Sequence, residues 1–466
     1  MSIKTIILKS DFFLNQFKKS RTGIAGIILL SLLIAISLYA YAAVPLDSFR
    51  QWNNPNYWIK YPKAAMPGWT NLFASQKQPE HLILHNAAIT REFSEGINSI
   101  KYTYKFPFNY DSFPNDFMIN YAVQYSSTPP LVDVKLIRPD GKSFTIISTS
   151  LPSPQNNHYI FRDTVFSTES DIQENLRNYV DQYTYDVDVT RPQVMLFSAT
   201  DKPNVLKGTY TLIQNFSFFD QKLDNDKVLN SEFILGGKVY GILGTDDLRH
   251  DLSIGILWGT PVALFIGLSV AIVSTFVGLV YGLVAAYKGK KTEPSMMMIV
   301  QIILNIPTLS ILIILAITIG RNIFLIVGFF ILFGWVGMAL ISRSMGLQIK
   351  TYAYVEAAKL MGESDVKIVF RHIIPQLLPF AFATIALSVP SAILLESGLS
   401  FIGLGDPTIP TWGQILNNAQ SSDAAARGMW WWIMPPGIMI GITSVAFILI
   451  SRALETTVNP RMKKAS

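Results

Sequence analysis

Few residues in this chain have the types and spacing that catalysis or metal binding requires. Gly141 to Ser143 (Gly-Lys-Ser) ends like a phosphate-binding P-loop, but Leu136 occupies the position of the required first glycine and the surrounding pattern predicts a hairpin. His81 and His85 have a spacing that suits a metal ion only on a helix, and the apolar residues around them favour a strand. Neither a nucleophile elbow nor a convincing acid–base pair occurs in the sequence. We therefore predict a protein that is not an enzyme and binds no metal or cofactor itself.

A polar, charged segment between two apolar stretches carries the clearest functional pattern. From Glu356 to Pro379 it reads EAAKLMGESDVKIVFRHIIPQLLP. Tyr354 to Met361 can form a short helix, which Gly362 can end because glycine adopts the left-handed conformation that other residues avoid. Ser364 can then cap a second short helix. We predict a bent, amphipathic helical hairpin at a membrane surface; the alternative is an ordinary loop with solvated charges.

This segment resembles the EAA loop of permeases from binding-protein-dependent ABC importers. The resemblance rests on the spacing of Glu356, Ala357, Ala358, Gly362 and Pro375. At the family's general Ile-x-Leu-Pro pattern this chain departs, with His372, Ile373, Ile374 and Pro375, but Arg371 to Pro375 looks like the Arg-His-Ile-Leu-Pro variant of the peptide and nickel subfamily. The resemblance implies that residues 350–375 form a coupling loop that docks into a groove of a cytoplasmic ATPase.

A second motif of the same family precedes the next apolar stretch. Leu243 to Asp251, LGTDDLRHD, is similar to the family's Leu-Gly-Thr-Asp-x-x-Gly-Arg-Asp segment. The matching site positions are Thr245, Asp246 and Asp251. Arg249 and His250 stand where the family usually has Gly and Arg, which puts the local turn in question. The alternative is a polar loop in which Asp251 or Ser253 caps the following helix.

Two short motifs near the C-terminus resemble the family's outer loop between its last two spans. They are SFIGLG at Ser400 to Gly405 and PTWG at Pro410 to Gly413. Their candidate functional residues are Gly403, Gly405, Trp412 and Gly413. The alternative is that these glycines only permit tight backbone turns. Asn459-Pro460-Arg461 resembles the family's terminal Asp-Pro-Arg.

Glu396 lies at the outer end of a predicted span, within LLESGLSF, and matches a glutamate of the family. An unpaired charge is costly in hydrocarbon, so a carboxylate in a span is a candidate for function. We predict that Glu396 and Ser397 belong to a gate or a pore wall. Solvation of the carboxylate at the membrane interface is the alternative.

The composition indicates a membrane protein. Half of the 466 residues are hydrophobic and 15% are charged. The chain has no cysteine, which excludes disulfides and any thiol or Cys-metal chemistry. Its formal charge of +6 could attract nucleic acid, but the Lys and Arg residues are distributed as membrane topology demands. We therefore predict no nucleic-acid partner.

Six membrane spans are predicted from apolar runs, since a spanning helix needs about 20 residues. The first, residues 22–44, follows a basic segment at 1–21; a signal peptide is the alternative because small residues end the apolar run. The other five are about Ile254–Tyr287, Met296–Ile319, Ile323–Ile341, Leu377–Glu396 and Trp430–Ile450. Pro307 and Pro390 can break or kink their spans.

Basic residues set the predicted orientation, because short cytoplasmic loops carry an excess of Lys and Arg. The N-terminus, the loop at residues 288–291, the segment at 350–375 and the C-terminal tail are basic and fall on one side. The short loops opposite offer only Arg321 and Arg427. We therefore expect both termini and the EAA-like loop to be cytoplasmic, and residues 45–240 to lie outside, in a protein of the cell membrane.

The predicted outer segment has an aromatic-rich and largely strand-like pattern. Ile100 to Phe106 alternates apolar and polar residues, the period of a strand with one buried face. Pro139 to Gly141 (Pro-Asp-Gly) marks a hairpin turn, and Gly208 to Phe218 suggests a further strand pair. Ser170 and Gln173 can form a capping box ahead of one helix. These signals predict a β-rich, sandwich-like domain.

The resemblance and the patterns together predict a membrane α-helical, type I ABC importer permease fold. It has six transmembrane helices, an extracytoplasmic β-rich, sandwich-like domain (45–240) between helices 1 and 2, and a five-helix core (241–466). By resemblance, the chain is the second permease subunit of an oligopeptide or dipeptide importer. The implied partners are a homologous permease, two ABC ATPases that use ATP and Mg, an external solute-binding protein and the lipid membrane.

Three alternative functions remain. The same motifs occur in nickel and sugar importers, so either solute is possible. A membrane receptor with an outer ligand-sensing domain would explain the inserted segment, but five closely spaced later spans and a cytoplasmic hairpin argue against it. A secondary transporter is disfavoured because few ionisable groups lie inside the predicted spans.

Overall fold

The computed structural model describes residues 20–94, 96–126, 128–154, 159–219 and 226–458. Nearly all of the N-terminal segment 1–21 and the whole Asn459-Pro460-Arg461 motif lie outside the described residues. The chain divides into two compact units. The inserted unit is Pro55–Ser253, and the membrane unit combines the residues up to Asn54 with those from Ile254 onward.

The chain enters the membrane unit through two helices, α1 (Arg21–Ala43) and α2 (Leu46–Arg50). Trp258, in the membrane unit, donates from its indole Nε1 to Ser48 Oγ of α2 at 3.2 Å. Helix α2 therefore packs with the membrane unit. For this reason the inserted unit begins later than residue 45, the boundary expected from composition.

The inserted unit contains nine described strands and three short helices. They are α3 (Pro55–Trp58), β1 (Leu82–Leu84), β2 (Ala88–Ser94), β3 (Ile97–Phe108), β4 (Asp116–Tyr125), β5 (Leu131–Ile137), β6 (Ser143–Ser150), β7 (Tyr159–Phe166), α4 (Ser170–Arg177), α5 (Pro192–Phe197), β8 (Gly208–Phe218) and β9 (Lys227–Gly236). Short 3-10 turns occupy Gly68–Leu72 and Val180–Gln182.

The strands form two antiparallel sheets, one in the order β1-β9-β4-β7 and the other in the order β2-β3-β8-β5-β6. Buried aromatic rings from the two sheets pack against one another. Phe106 of β3 lies 5.7 Å from Phe233 of β9, and Tyr121 of β4 lies 5.9 Å from Phe216 of β8, between ring centroids. Both sheets therefore share one aromatic core, the arrangement of a β-sandwich.

Two strand predictions have different outcomes. The predicted hairpin is present as β5 and β6: Arg138 N donates to Lys142 O at 2.9 Å, and Gly141 takes a left-handed φ of 80°. The predicted strand pair at Gly208–Phe218 is wrong, because this stretch is the single strand β8. It pairs with β3 on one side and β5 on the other, so its length reflects a central position in the sheet.

The predicted capping box of helix α4 is also wrong. The helix begins at Ser170, and Glu169 holds the cap position without a side-chain capping bond. The Gln173 side chain donates to Thr168 O at 3.1 Å instead of reaching the Ser170 backbone. The helix therefore begins one residue earlier than a Ser170 cap requires.

The membrane unit continues with ten helices. They are α6 (Leu252–Lys288), which starts in the inserted unit, α7 (Thr292–Asn305), α8 (Thr308–Thr318), α9 (Ile323–Gly334), α10 (Val336–Ile349), α11 (Ala353–Leu360), α12 (Asp365–Ile368), α13 (Ile374–Phe401), α14 (Trp412–Ser421) and α15 (Trp430–Val458). A π-helical turn, Val369–Ile373, joins α12 to α13.

Five helical segments of the described chain are long and apolar enough to cross a membrane: α1, α6, α9 with α10, α12 through α13, and α15. Helices α7 and α8 make a sixth if they count as one span, bent by 67°. The predicted break at Pro307 is confirmed, since this residue lacks the amide hydrogen that would continue α7. Pro390, in contrast, lies inside the continuous helix α13. These helices make the chain a membrane α-helical protein.

Small residues allow the helices of the membrane unit to approach closely. A Cβ atom added at Gly282 of α6 would lie 2.1 Å from Ser342 Oγ of α10. One added at Gly26 of α1 would lie 2.8 Å from Ile450 Cγ1 of α15. Each glycine therefore permits a helix contact that a larger side chain would prevent.

Candidate functional site

The EAA-like segment folds as the predicted helical hairpin. Its first helix, α11, ends where Gly362 takes a left-handed φ of 80°. Gly362 N donates to Lys359 O at 3.0 Å, and Glu363 N donates to Ala358 O at 3.2 Å. This pair of bonds is a Schellman motif, which satisfies the last carbonyl groups of the helix. Gly362 is therefore required for the bend itself.

The second half of the hairpin leads directly into a spanning helix. Ser364 occupies the predicted cap position of α12, but its side chain makes no capping bond. The π-helical turn then connects α12 to α13, and Pro375 lies in the first turn of α13. Proline is well suited to that position, where an amide hydrogen has no partner inside the helix.

The inner face of the hairpin is apolar and buried. Val355 and Ala358 of α11 and Ile368 of α12 are almost completely inaccessible. They belong to one cluster with side chains of three spanning helices: Leu283 of α6, Ile349 of α10 and Leu377 of α13. A displacement of the hairpin would therefore act on three spans at once.

The outer face of the hairpin exposes large apolar side chains. Leu360 and Met361, at the end of α11, are 89% and 76% exposed. Val366 and Phe370 of the second half are also exposed. Glu356, Ala357 and Lys359 lie on the accessible surface of α11. Such a patch, apolar with charges beside it, is typical of a surface that binds another protein.

The Glu363 carboxylate, at the bend, contacts two side chains in the second half of the hairpin. Glu363 Oε2 lies 2.7 Å from His372 Nε2, and Glu363 Oε1 lies 3.2 Å from Lys367 Nζ. The hydrogen bond with His372, followed by that with Lys367, lowers the pKa of Glu363. The carboxylate therefore remains ionised at neutral pH and holds the bend.

Glu396 is buried near the C-terminal end of α13, so its carboxylate is not exposed to solvent as the predicted alternative requires. Ser400 Oγ donates to Glu396 Oε1 at 2.7 Å, and Ser397 Oγ lies 3.5 Å from Glu396 Oε2. Thr411 also hydrogen-bonds to this carboxyl group, while its own Oγ1 accepts from Gln414 N and caps α14. The carboxyl group is thus buried and hydrogen-bonded by hydroxyl groups.

The glycines of the outer-loop motifs pack against the same turn of α13. A Cβ atom at Gly405 would lie 2.0 Å from Ser400 Oγ. One at Gly413 would lie 2.6 Å from Ser397 Cα and 2.8 Å from Ser397 O. Close approach of two backbones is therefore what these glycines permit. The structure brings Glu396, Ser397 and both glycines into one cluster, which the sequence had offered as separate motifs.

The other two residues of the outer-loop motifs have structural positions nearby. Gly403 turns the chain after α13 with a φ of 82°. Trp412 is buried at the start of α14, and its Nε1 donates to Ile256 O of α6 at 3.4 Å. Because Gly259 lacks a side chain, the indole can lie directly against α6.

Two residues that sequence reasoning missed fix this outer loop. Asp406 is buried and accepts hydrogen bonds from Ile323 N at 3.1 Å and from Thr408 Oγ1 at 2.6 Å. Arg321 donates to Gly403 O at 2.6 Å. Both connect the loop to the start of α9, which is distant in sequence. An Asp directly before Pro407 was the available signal, since Asp and Pro favour turns.

The pre-helix motif forms a compact loop within the inserted unit. Thr245 is buried, donates from Oγ1 to Pro62 O at 2.7 Å and accepts from Ala65 N at 2.9 Å. Asp246 is also buried, and its Oδ2 lies 2.7 Å from His250 Nδ1. Asp251 Oδ1 accepts from Ser253 N at 2.8 Å and so caps α6, as the alternative interpretation predicted.

In the turn of this motif, Arg249 stands where the family pattern has glycine. Arg249 adopts a left-handed φ of 70°. Its guanidinium donates to Tyr61 O and to Asp116 Oδ2, both at 2.6 Å. These bonds compensate the backbone strain, which glycine would not have.

The described residues offer no group of three or more His, Asp or Glu side chains placed to hold a metal ion. His81 and His85 flank the short strand β1. His85 Nδ1 lies 3.1 Å from Glu232 Oε1, and Lys60 Nζ lies 2.6 Å from Glu232 Oε2. His85 and Lys60 therefore share the Glu232 carboxylate, which gives His85 a structural partner.

Comparisons with known proteins point to one family. A family described as the binding-protein-dependent transport system inner membrane component matches residues 278–464. The dipeptide transport system permease protein of Bacillus subtilis is 33% identical over 222 residues, which are 47% of this chain and 69% of that protein. The oligopeptide transport system permease protein of the same organism is 31% identical over 222 residues, 47% of this chain and 72% of that protein.

A third relative comes from a different organism. The oligopeptide transport system permease protein of Haemophilus influenzae is 33% identical over 226 residues, which cover 48% of this chain and 71% of that protein. The matched family segment includes the hairpin and the Glu396 cluster, which lie within residues 278–464. The chain therefore belongs to the family of inner membrane components of binding-protein-dependent transport systems.

Proposed function

We propose that this chain is a permease subunit of an ABC importer for oligopeptides or dipeptides. The peptide assignment is supported by the names of its relatives, which are dipeptide and oligopeptide transport system permeases. The chain works with a homologous second permease, two ABC ATPases that bind ATP and Mg, and a solute-binding protein outside the cell. The hairpin lies in the cytoplasm, and the inserted unit lies outside.

The observation that carries the proposal is the two-faced hairpin. Its outer face presents Leu360 and Met361 to solvent, and its inner face is packed on α6, α10 and α13. An ATPase that bound this outer face differently in its two nucleotide states would shift the equilibrium between two arrangements of the spans. Without such a difference in affinity no coupling is possible.

At the opposite end of α13, the cluster around Glu396 is the candidate gate. Its carboxyl group is buried and is hydrogen-bonded by hydroxyl groups from α13 and from the loop before α14. Movement of α13 relative to α14 would separate these groups. The same helix thus connects the coupling hairpin to the candidate gate, which supports a mechanical link between ATPase and pore.

The test is ATP hydrolysis by the reconstituted complex, stimulated by binding protein loaded with peptide. Leu360→Glu places a charge on the outer face of the hairpin, and we expect it to reduce stimulation and peptide uptake at least several-fold. Thr292→Glu is the matched control, because Thr292 is exposed at the start of α7 and lies outside the coupling loop 350–375. Full stimulation and uptake in Leu360→Glu would overturn the assigned role of the hairpin.

The solute is tested separately with a purified solute-binding protein that stimulates ATP hydrolysis by the reconstituted complex. We expect calorimetry to detect binding of short peptides of mixed sequence. Binding of nickel or a sugar, with no peptide binding, would replace the peptide assignment and leave the coupling role of the hairpin intact.

A further inference from the structure

The inserted unit exposes a compact group of large apolar side chains. The 3-10 turn Gly68–Leu72 and the residue after it present Leu72 and Phe73, which are 80% and 82% exposed. Trp69 of the same turn and the neighbouring Ile242 are also exposed. We call Trp69, Leu72, Phe73 and Ile242 the apolar turn patch.

Hydrogen bonds hold this patch in a defined shape. The Asn71 side chain donates from Nδ2 to Gln78 O and accepts from Gln78 N, both at 2.9 Å. Trp69 Nε1 donates to Ile242 O at 2.9 Å, and Gly68 N donates to Gly241 O at 2.8 Å. The apolar side chains are therefore displayed by two loops that are bonded together.

The patch is connected to the start of a spanning helix. Leu243, next to Ile242, donates from its backbone N to Ser253 Oγ at 3.2 Å. Ser253 is the second residue of α6. The patch is thus bonded to the first turn of α6, a helix long and apolar enough to cross a membrane.

Trp258, the seventh residue of α6, lies beside the end of the first spanning helix. Its ring lies 5.4 Å from that of Tyr41, near the end of α1, which has 23 residues. A helix of this length is just sufficient to cross a hydrocarbon core of about 30 Å. Trp and Tyr concentrate at the boundary between hydrocarbon and water. The start of α6 therefore lies close to the lipid head groups.

The chemistry of the patch favours lipid over protein. No charged residue occurs from Ala64 to Gln76 or from Val239 to Thr245, the two loops that carry the patch. A protein-docking surface usually has a polar rim around its apolar centre. An uncharged loop with Trp, Leu, Phe and Ile is instead suited to the boundary between head groups and acyl chains.

We propose that the apolar turn patch inserts into the lipid head-group region and anchors the inserted unit on the bilayer. The lipid surface binds side chains that water would solvate poorly, and it does so beside the helix that already crosses the membrane. This contact with lipid restrains the inserted unit and requires neither ATP nor substrate. The contact is equally available to the unit on either side of the membrane.

The absence of native cysteine makes a direct test possible. Leu72→Cys, Phe73→Cys and the control Phe93→Cys would each be labelled with the fluorophore NBD in the full chain. Phe93 is an exposed residue of β2 in the same unit. The labelled chains would be reconstituted in nanodiscs of phosphatidylcholine and phosphatidylglycerol, with and without nitroxide-labelled lipid.

We expect nitroxide lipid to quench the labels at positions 72 and 73 several-fold more strongly than the label at position 93. Equal quenching at all three positions would overturn the proposal. So would labels at 72 and 73 that ignore nitroxide lipid and change their emission only when binding protein or a partner permease is added, since the patch would then dock protein.

A second variant tests anchoring without disturbing the fold. With NBD at Ile242→Cys, the exposed double substitution L72S/F73S should reduce quenching by nitroxide lipid at least twofold. Phe93→Ser is the matched control and should leave it unchanged. Unchanged quenching in L72S/F73S would show that residues 72 and 73 do not anchor the unit.

Discussion

Arg249 donates to Asp116 Oδ2 at 2.6 Å while its own backbone adopts a φ of 70°. The ion pair joins the loop before α6 to β4 within the inserted unit, and both side chains are mostly buried. The contact thus stabilises a turn that relatives with glycine would form without strain.

Substitutions at Arg249 should separate the two effects. Arg249→Gly removes the ion pair but relieves the backbone, whereas Arg249→Ala removes the pair and keeps the strain. We expect Arg249→Gly to destabilise the loop by about 1–3 kcal/mol, and Arg249→Ala by about 1 kcal/mol more. Hydrogen exchange of the backbone amides at 245–251 in the full chain measures both. Equal exchange in the two variants would contradict a strained backbone at this position.

The outer-loop glycines should not tolerate a methyl group. In Gly413→Ala the new Cβ would collide with the Ser397 backbone, and overpacking of this kind costs about 1–3 kcal/mol. We expect a lower unfolding temperature and reduced uptake. Gly398→Ala is the matched control on α13, the helix that Gly413 contacts, since nothing lies within 4 Å of the Cβ position of Gly398. A stable, fully active Gly413→Ala would show that α13 and the loop need not approach so closely.

The bend of the hairpin should depend on the conformation of Gly362 alone. Nothing lies within 4 Å of a Cβ added there, so Gly362→Ala introduces backbone strain without a clash, at a cost of about 1 kcal/mol. Asn tolerates the left-handed region better, so Gly362→Asn should lose less. Faster hydrogen exchange at residues 362 and 363, in the order Ala, Asn, Gly, is the expected result. Identical exchange in all three would exclude this role.

Burial of His81 should make the inserted unit sensitive to acid. Desolvation lowers the pKa of His81 to about 4, although hydrogen bonds with the backbone of Lys60 and Leu235 act to raise it. The unfolded chain therefore binds a proton near pH 6.5, before the folded chain does. Stability is fully present above that pH and is lost as the pH falls toward 4, by at most about 1.4 kcal/mol per pH unit.

The corresponding measurement compares thermal unfolding of the wild-type chain with that of His81→Gln from pH 4 to 7.5. The difference between the two unfolding free energies isolates the contribution of His81. We expect this difference to change with pH between 6.5 and 4 in favour of the variant. A constant difference over that range would mean that His81 titrates normally in the folded state.

Local patterns predicted much of the fold. Periodicity indicated β3, turn residues indicated the β5–β6 hairpin, and the proline at position 307 marked the break between α7 and α8. Each of these signals lies within a few residues of its effect. The Gly362 bend belongs to the same class, because a left-handed glycine acts on the turn in which it occurs.

Long-range relationships could not be predicted in this way. Strand β8 pairs with β3, far earlier in the chain, so its length looked like two strands. Glu396 gains Thr411 as a partner, and Asp406 meets Ile323, only through the packing of separate helices. A one-residue shift also defeated the capping box at Ser170, since a local motif specifies a helix start less strictly than the packing of Ile172 and Leu176 does.

The proposed transport role requires the hairpin and the inserted unit to lie on opposite sides of the membrane. Single cysteines at Leu360 and Phe93, both exposed, can be tested with a membrane-impermeant thiol reagent in intact cells and in inverted vesicles. We predict labelling of Phe93→Cys only in intact cells and of Leu360→Cys only in inverted vesicles. Labelling of Leu360→Cys from outside intact cells would contradict the proposed coupling to a cytoplasmic ATPase.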